Sequence, residues 1–133
     1  MARVTGIGGV FLKAKGDAAE LARWYETHLG LKLEDFGGAV LQWNDAKAED
    51  GGLTVWATAA PDSTWFAPSA SSFMINYRVD DMDSMVARLE AAGVEIIQGP
   101  ERHENGCFAW IMDPEGNKVE LWEPKLWDEK NKG

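Results

Sequence analysis

The stretch Asp113–Pro124, DPEGNKVELWEP, decides the fold. It has Asp at the first position of a turn, Pro at the second and Gly at the fourth, the preference of a type I turn. Asn117 then swings the chain into a strand. From Lys118 onward Val119 and Leu121 point to one face and Glu120 and Trp122 to the other, because successive strand side chains alternate. A carboxylate and an indole sharing a face make an unusual lining for a core. Pro124 lacks an N–H and ends the ladder.

Outward from that strand, the chain of 133 residues is long enough for one domain, or for two small halves sharing a core. Its hydrophobic content of 45% is enough for a packed interior. Seven Trp is a high count, and side chains that large line small-molecule cavities as well as cores. A formal net charge of −9 argues against nucleic-acid binding, which neutralises phosphates, and against anionic membrane surfaces. No apolar run approaches the roughly 20 residues that span a bilayer. The segment MARVTGIGG lacks the apolar centre of a signal peptide, and the one cysteine, Cys107, has no internal partner for a disulfide. A cytoplasmic protein is expected.

Gly6–Lys13 reads as a strand whose glycine-rich start suggests a bulge or a close backbone approach. Asp17 is placed as a helix N-cap, with Leu21, Trp24, Tyr25 and His28 at helical spacing and Gly30 as the stop. Leu31–Phe36 and Ala39–Trp43 are expected to be strands joined at Gly37–Gly38. Asn44–Asp50 is expected as a polar loop and Leu53–Thr58 as a strand. Residues 61–72 read as a connector, but Trp65 and Phe66 are too apolar for a free linker and imply that it folds back over something. Phe73–Val79 reads as a strand. Asp81 caps a helix marked by Met82, Met85, Val86 and Leu89 and ended by Gly93. Val94–Gln98 is expected as a strand, then a polar loop carrying His103, then Phe108–Met112. Trp127–Gly133 is expected as a charged tail.

The halves overlay, with Asp17 on Asp81, Gly30 on Gly93, and Trp56 on Trp122. Each reads as βαβββ, and a unit so small needs its neighbour to bury a sheet face. The expected architecture is α+β: two βαβββ modules, about 4–60 and 73–125, forming a curved mixed sheet around a cleft with the helices outside.

The turn and last strand, together with this duplicated order, resemble the vicinal oxygen chelate superfamily, which includes glyoxalase I, extradiol dioxygenases and bleomycin-resistance proteins. The resemblance covers nearly the whole chain and implies a dimer. It also implies four cleft positions that in the metalloenzymes carry metal ligands, usually His or Gln, Glu, His and Glu. Here those positions fall on Gly9, Thr54, Met74 and Glu120. Gly9 has no side chain, a hydroxyl replaces a carboxylate poorly, and a thioether suits soft ions. Glu120 alone survives, and one carboxylate does not hold a catalytic divalent metal. No cofactor is expected, and a divalent metal is disfavoured.

Glu120 is then either solvated at the cleft mouth, or paired with Arg78 or Lys13, or a base or acceptor for a ligand, its pKa raised by an apolar cleft. By strand parity Phe11, Thr54, Trp56, Met74, Asn76, Arg78 and Trp122 are the candidate ligand-binding residues, with Trp56 and Trp122 facing one cleft as a stacking pair. His28, His103 and Cys107 carry no recognisable motif. The expected function is metal-independent binding of a small, partly aromatic molecule. The alternative is a lyase, isomerase or dioxygenase-like enzyme with a non-standard metal site or with Glu120 as general base.

Overall fold

The computed structural model describes residues 2–43 and 52–124. The loop expected over 44–50 and the tail expected over 127–133 lie outside them. Within them the order is β1 (Val4–Lys13), α1 (Ala18–Leu29), β2 (Ala39–Gln42), β3 (Leu53–Ala59), β4 (Phe73–Val79), α2 (Met82–Ala91), β5 (Ile96–His103), β6 (Gly106–Met112) and β7 (Lys118–Glu123). The fold is α+β. The strands form one open mixed sheet, ordered β2-β3-β1-β4-β7-β6-β5. The antiparallel pair β1–β4 joins the halves, and β3 and β7 lie parallel to β1 and β4. No helix among the described residues is long and apolar enough to cross a membrane.

Local chemistry sets the element ends. The Asp17 carboxylate accepts from the Glu20 N–H at 3.0 Å, and that of Asp81 from the Ser84 N–H at 3.1 Å, relieving unpaired helix-start donors. Gly30 closes α1 at φ 74°, a left-handed conformation that glycine adopts without strain. In the Asp113 turn, Asp113 Oδ1 accepts from the Glu115 and Asn117 N–H groups, each at 2.9 Å.

The first half departs from the expected βαβββ. Leu31–Phe36 forms no strand, and Gly37–Gly38 joins no hairpin. Leu31 and Leu33 pack beside α1, while the backbone closes a tight turn, Glu34 N–H to the Gly38 carbonyl at 2.7 Å and Gly37 N–H to the Glu34 carbonyl at 2.9 Å. Its one apolar side is spent on the helix cluster, and its charged residues favour strand weakly. The second half forms all four expected strands, but β5 runs on through Pro100 to His103, which therefore lies in a strand and not in a loop. Pro is tolerated there because β5 is an edge strand with shifted register.

The sheet has two faces. Val79, Cys107, Ala109 and Leu121 pack under Met82, Met85 and Val86 of α2, and Trp56 packs with Ala22 of α1. The opposite face carries Phe11, Met74 and Trp110, covered by Phe66 from the connector.

Candidate ligand cleft

Strand register arranges the face away from the helices in rows. The central row runs Val55, Gly9, Asn76, Glu120, Trp110 across β3, β1, β4, β7 and β6. On one side lie Ala57, Phe11 and Met74, with Lys118 opposite Met112 further along. On the other side Arg78, Trp122 and Phe108 stand in line.

Glu120 sits in the central row and is only 4% exposed. Asn76 Nδ2 donates to its Oε1 at 2.6 Å and Trp110 Nε1 to its Oε2 at 2.9 Å. The Trp65 indole is a further hydrogen-bond donor to the same carboxylate. Burial pushes the Glu120 carboxyl above its usual range, and these donors and the Lys118 charge pull against that shift. Glu120 is thus not solvated at a cleft mouth. Lys118 is also buried. Its Nζ donates to the Trp65 carbonyl at 2.6 Å and lies 5.8 Å above the Trp110 ring. Burial lowers the Lys118 pKa, and the nearby Glu120 acts in the opposite direction.

The glycine-rich start of β1 is a bulge, with the pairing to β4 shifting between Ile7 and Gly9. A Cβ on Gly8 would run into Asn76 Oδ1, Arg78 Cγ and the Trp122 ring. A Cβ on Gly9 would come within 2.6 Å of Phe11 Cζ. The space that a first-strand ligand would need is therefore taken by side chains from the second half.

Six of the residues proposed from sequence come together on this face: Phe11, Met74, Asn76, Arg78, Glu120 and Trp122. Arg78 lies 5.0 Å from the Trp43 ring and 5.7 Å from the Trp122 ring. Trp122 stacks on Phe108 with centroids 6.0 Å apart and donates to the Asn105 carbonyl at 2.9 Å. Thr54 and Trp56 do not join them. Trp56 packs against Tyr25 of α1 at 4.8 Å, and the Thr54 hydroxyl accepts from Trp43 Nε1 at 2.7 Å and donates to the Ile7 carbonyl. The expected pair of facing indoles is not formed. The residue of β3 that occupies the place of Glu120 is Val55, one position on, and a shift of one reverses every side chain.

The remaining candidates lie elsewhere. His28 sits in the last turn of α1 against the Trp24 ring. His103 pairs with Glu101 at 3.1 Å on the surface, and Cys107 is buried beneath α2. Among the described residues no three His, Cys, Asp or Glu side chains gather in one place.

At the Trp122 end, a cavity of about 250 Å³ opens between the halves, lined by Phe36, Val40, Leu53, Val55, Asn105 and Trp122. The sequence reading missed five of these six. Phe36 lines it because residues 31–36 form a loop, and odd-numbered parity in β3 would have found Leu53 and Val55. Trp65, Trp110 and Lys118 were missed as well. The alternation that placed Glu120 and Trp122 on one face also puts Lys118 there.

The family described as the glyoxalase/bleomycin resistance protein/dioxygenase superfamily matches residues 10–121. Among solved structures, methylmalonyl-CoA epimerase from Mycobacterium tuberculosis is 24% identical, with a TM-score of 0.62 over 92% of this chain and 89% of that one. A Streptomyces coelicolor methylmalonyl-CoA epimerase variant bound to 2-nitronate-propionyl-CoA is 19% identical, with a TM-score of 0.67 over 92% and 96%. A superfamily member from Vibrio splendidus is 14% identical, with a TM-score of 0.53 over 92% and 99%. These are likenesses of fold. No curated protein matches the chain.

Proposed function

The chain belongs to the glyoxalase/bleomycin resistance protein/dioxygenase superfamily, and from that premise we propose that it binds a small aromatic or apolar molecule in its cleft without a catalytic metal. The observation that carries this is the make-up of the central row. Val55, Gly9, Asn76 and Glu120 offer one carboxylate and one amide, and both carboxylate oxygens already accept N–H groups. That donor set does not fit a divalent ion, which needs several N or O ligands held together. What the cleft does offer is an apolar cavity walled by Trp122 and Val55, with the Arg78 guanidinium beside Trp122. A flat ring carrying a polar group suits such a lining. The homodimer implied by the resemblance belongs to the same proposal, and light scattering in solution checks it.

Titration with 2-naphthoate in chelator, followed by tryptophan emission, tests the reading. Saturable binding is expected, weakened at least about tenfold, or about 1.4 kcal/mol, by Val55→Trp, which fills the cavity. Binding that requires an added divalent metal, or that is unaffected by Val55→Trp, overturns it.

One observation favours a second reading. Glu120 is a buried carboxyl with a raised pKa, the property that a general base working near neutral pH needs. That reading makes the chain a metal-free lyase or isomerase, and full turnover of a substrate by Glu120→Ala removes it.

A further inference from the structure

The end of the cleft opposite the open cavity is filled from within. The connector over residues 60–72 forms no strand, and its backbone closes local turns: Ser63 N–H to the Ala60 carbonyl, Ala67 N–H to Thr64 and Ser69 N–H to Phe66. Side chains seat it on the sheet, chiefly Trp65 and Phe66 packed with Phe11, Met74 and Trp110. Trp65 is held as a bound ligand would be. Its ring lies 4.5 Å from Phe11, its indole N–H serves Glu120, and its carbonyl accepts from Lys118 Nζ at 2.6 Å. A plain core has no use for a carboxylate, an ammonium and an amide buried on one face. A recognition site for a polar aromatic does.

We propose that Trp65 is an exchangeable internal occupant of a second binding position, and that this position takes a planar aromatic molecule bearing a ring N–H or O–H that replaces the Trp65 indole on Glu120. Lys118 is the latch that holds the connector closed. The connector can leave without unpairing the sheet, because its backbone ties to β1 and β3 lie at its ends, where Lys13 N–H bonds to the Ser72 carbonyl and Ala14 N–H to the Ala59 carbonyl. Opening exposes Glu120, Trp110 and Met74. The position goes beyond the open cavity near Trp122, and the two stand or fall separately.

Indole and 1-methylindole, which lacks the N–H, are the probes, followed by the indole N–H resonances of the 15N-labelled chain. In Trp65→Ala, indole is expected to bind at least about tenfold tighter than 1-methylindole and to move the Trp110 resonance, because the unmet hydrogen bond to a charged or buried acceptor sets the preference. A plain apolar hole takes both equally, and equal affinity overturns the proposal. In the intact chain indole is expected to bind about ten- to a hundredfold more weakly, by the fraction of chains that are open. Lys118→Met, which leaves Trp65 in place, is expected to recover that affinity several-fold by releasing the connector. No recovery in Lys118→Met overturns the exchange. A shift confined to Trp122 leaves the open-cavity reading and removes this one, whereas a Trp110 response with a silent Trp122 does the reverse.

Discussion

The two halves of the sheet start from similar spelling and end differently. The second half forms its helix and four strands, and α2 buries Met82, Met85 and Val86 in the core. The first half forms three strands, and α1 buries only Ala22 while leaving Trp24 53% and Leu29 63% exposed. The missing strand is the one that would have occupied 31–36, and Phe36 from that loop lines the open cavity. A duplicated architecture has thus kept its core in one half and relaxed in the other, and the relaxed side is where the cleft is accessible. The four-position row makes the same contrast. The second half supplies Asn76 and Glu120, and the first half supplies Gly9 and Val55, a backbone and an apolar wall.

If the second half carries the stability, truncations under the two helices will differ sharply. Met82→Ala removes a side chain with no exposure at all and is expected to cost about 2–5 kcal/mol. Trp24→Ala removes a larger side chain that is half exposed and is expected to stay within about 0.5 kcal/mol. Urea denaturation of both variants measures this. Similar costs would mean that the halves share the load.

A substitution that makes the first half imitate the second is expected to fail by a smaller margin. Gly9→Asn gives the first strand the residue that stands opposite it at Asn76. Its Cβ meets Phe11 Cζ at 2.6 Å, so the ring must move within a packed cluster. Overpacking of this kind costs about 1–3 kcal/mol. The ring can swing only if Trp65 gives way, so Gly9→Asn in a Trp65→Ala background is expected to recover most of the loss. Additive effects in the double variant would show that the two sites are uncoupled.

Much of this contrast was legible in the sequence. Asp17 and Asp81 announced both helices through their caps, and Asp113–Gly116 announced the last turn, because each signal acts over three or four residues. The faces of β7 and β4 followed from alternation alone. What failed was register between distant segments. Matching Trp56 to Trp122 was natural by residue type, but hydrogen bonding pairs Gly9 with Val55 and Asn76 with Glu120. Alternation has a period of two, so an error of one residue placed Thr54 and Trp56 on the cleft when they belong to the helix face. Leu31–Phe36 failed for another reason. Its pattern suits an edge strand, and nothing local reveals that its leucines are claimed by α1. The seating of Trp65 on Glu120 depends on contacts about fifty residues apart, and composition signalled only that the connector was too apolar to be free.

The smallest expected effect concerns the one carboxylate that the row retains. Burial raises the folded-state pKa of Glu120 above its unfolded value, so between those two values the folded chain holds a proton that the unfolded chain has released. Stability then falls as pH rises from the ordinary carboxylate range, about 4.3, toward the raised folded value, and is flat beyond it. Lys118, across from the carboxyl, and the N–H groups of Asn76, Trp110 and Trp65 limit the size of the drop by favouring the ionised form. Asp113 and Glu101, whose pKa values are lowered by hydrogen bonds, add the opposite slope in acid, so the raw profile of the wild type mixes signs. The difference between wild type and Glu120→Gln removes that background. Glutamine resembles the protonated acid and does not titrate, so its melting temperature relative to wild type is expected to rise steadily from pH 4 upward. A relative melting temperature that falls over the same range would show that the donors outweigh the burial, leaving Glu120 an ion held by its neighbours and Val55 facing a charge across the row.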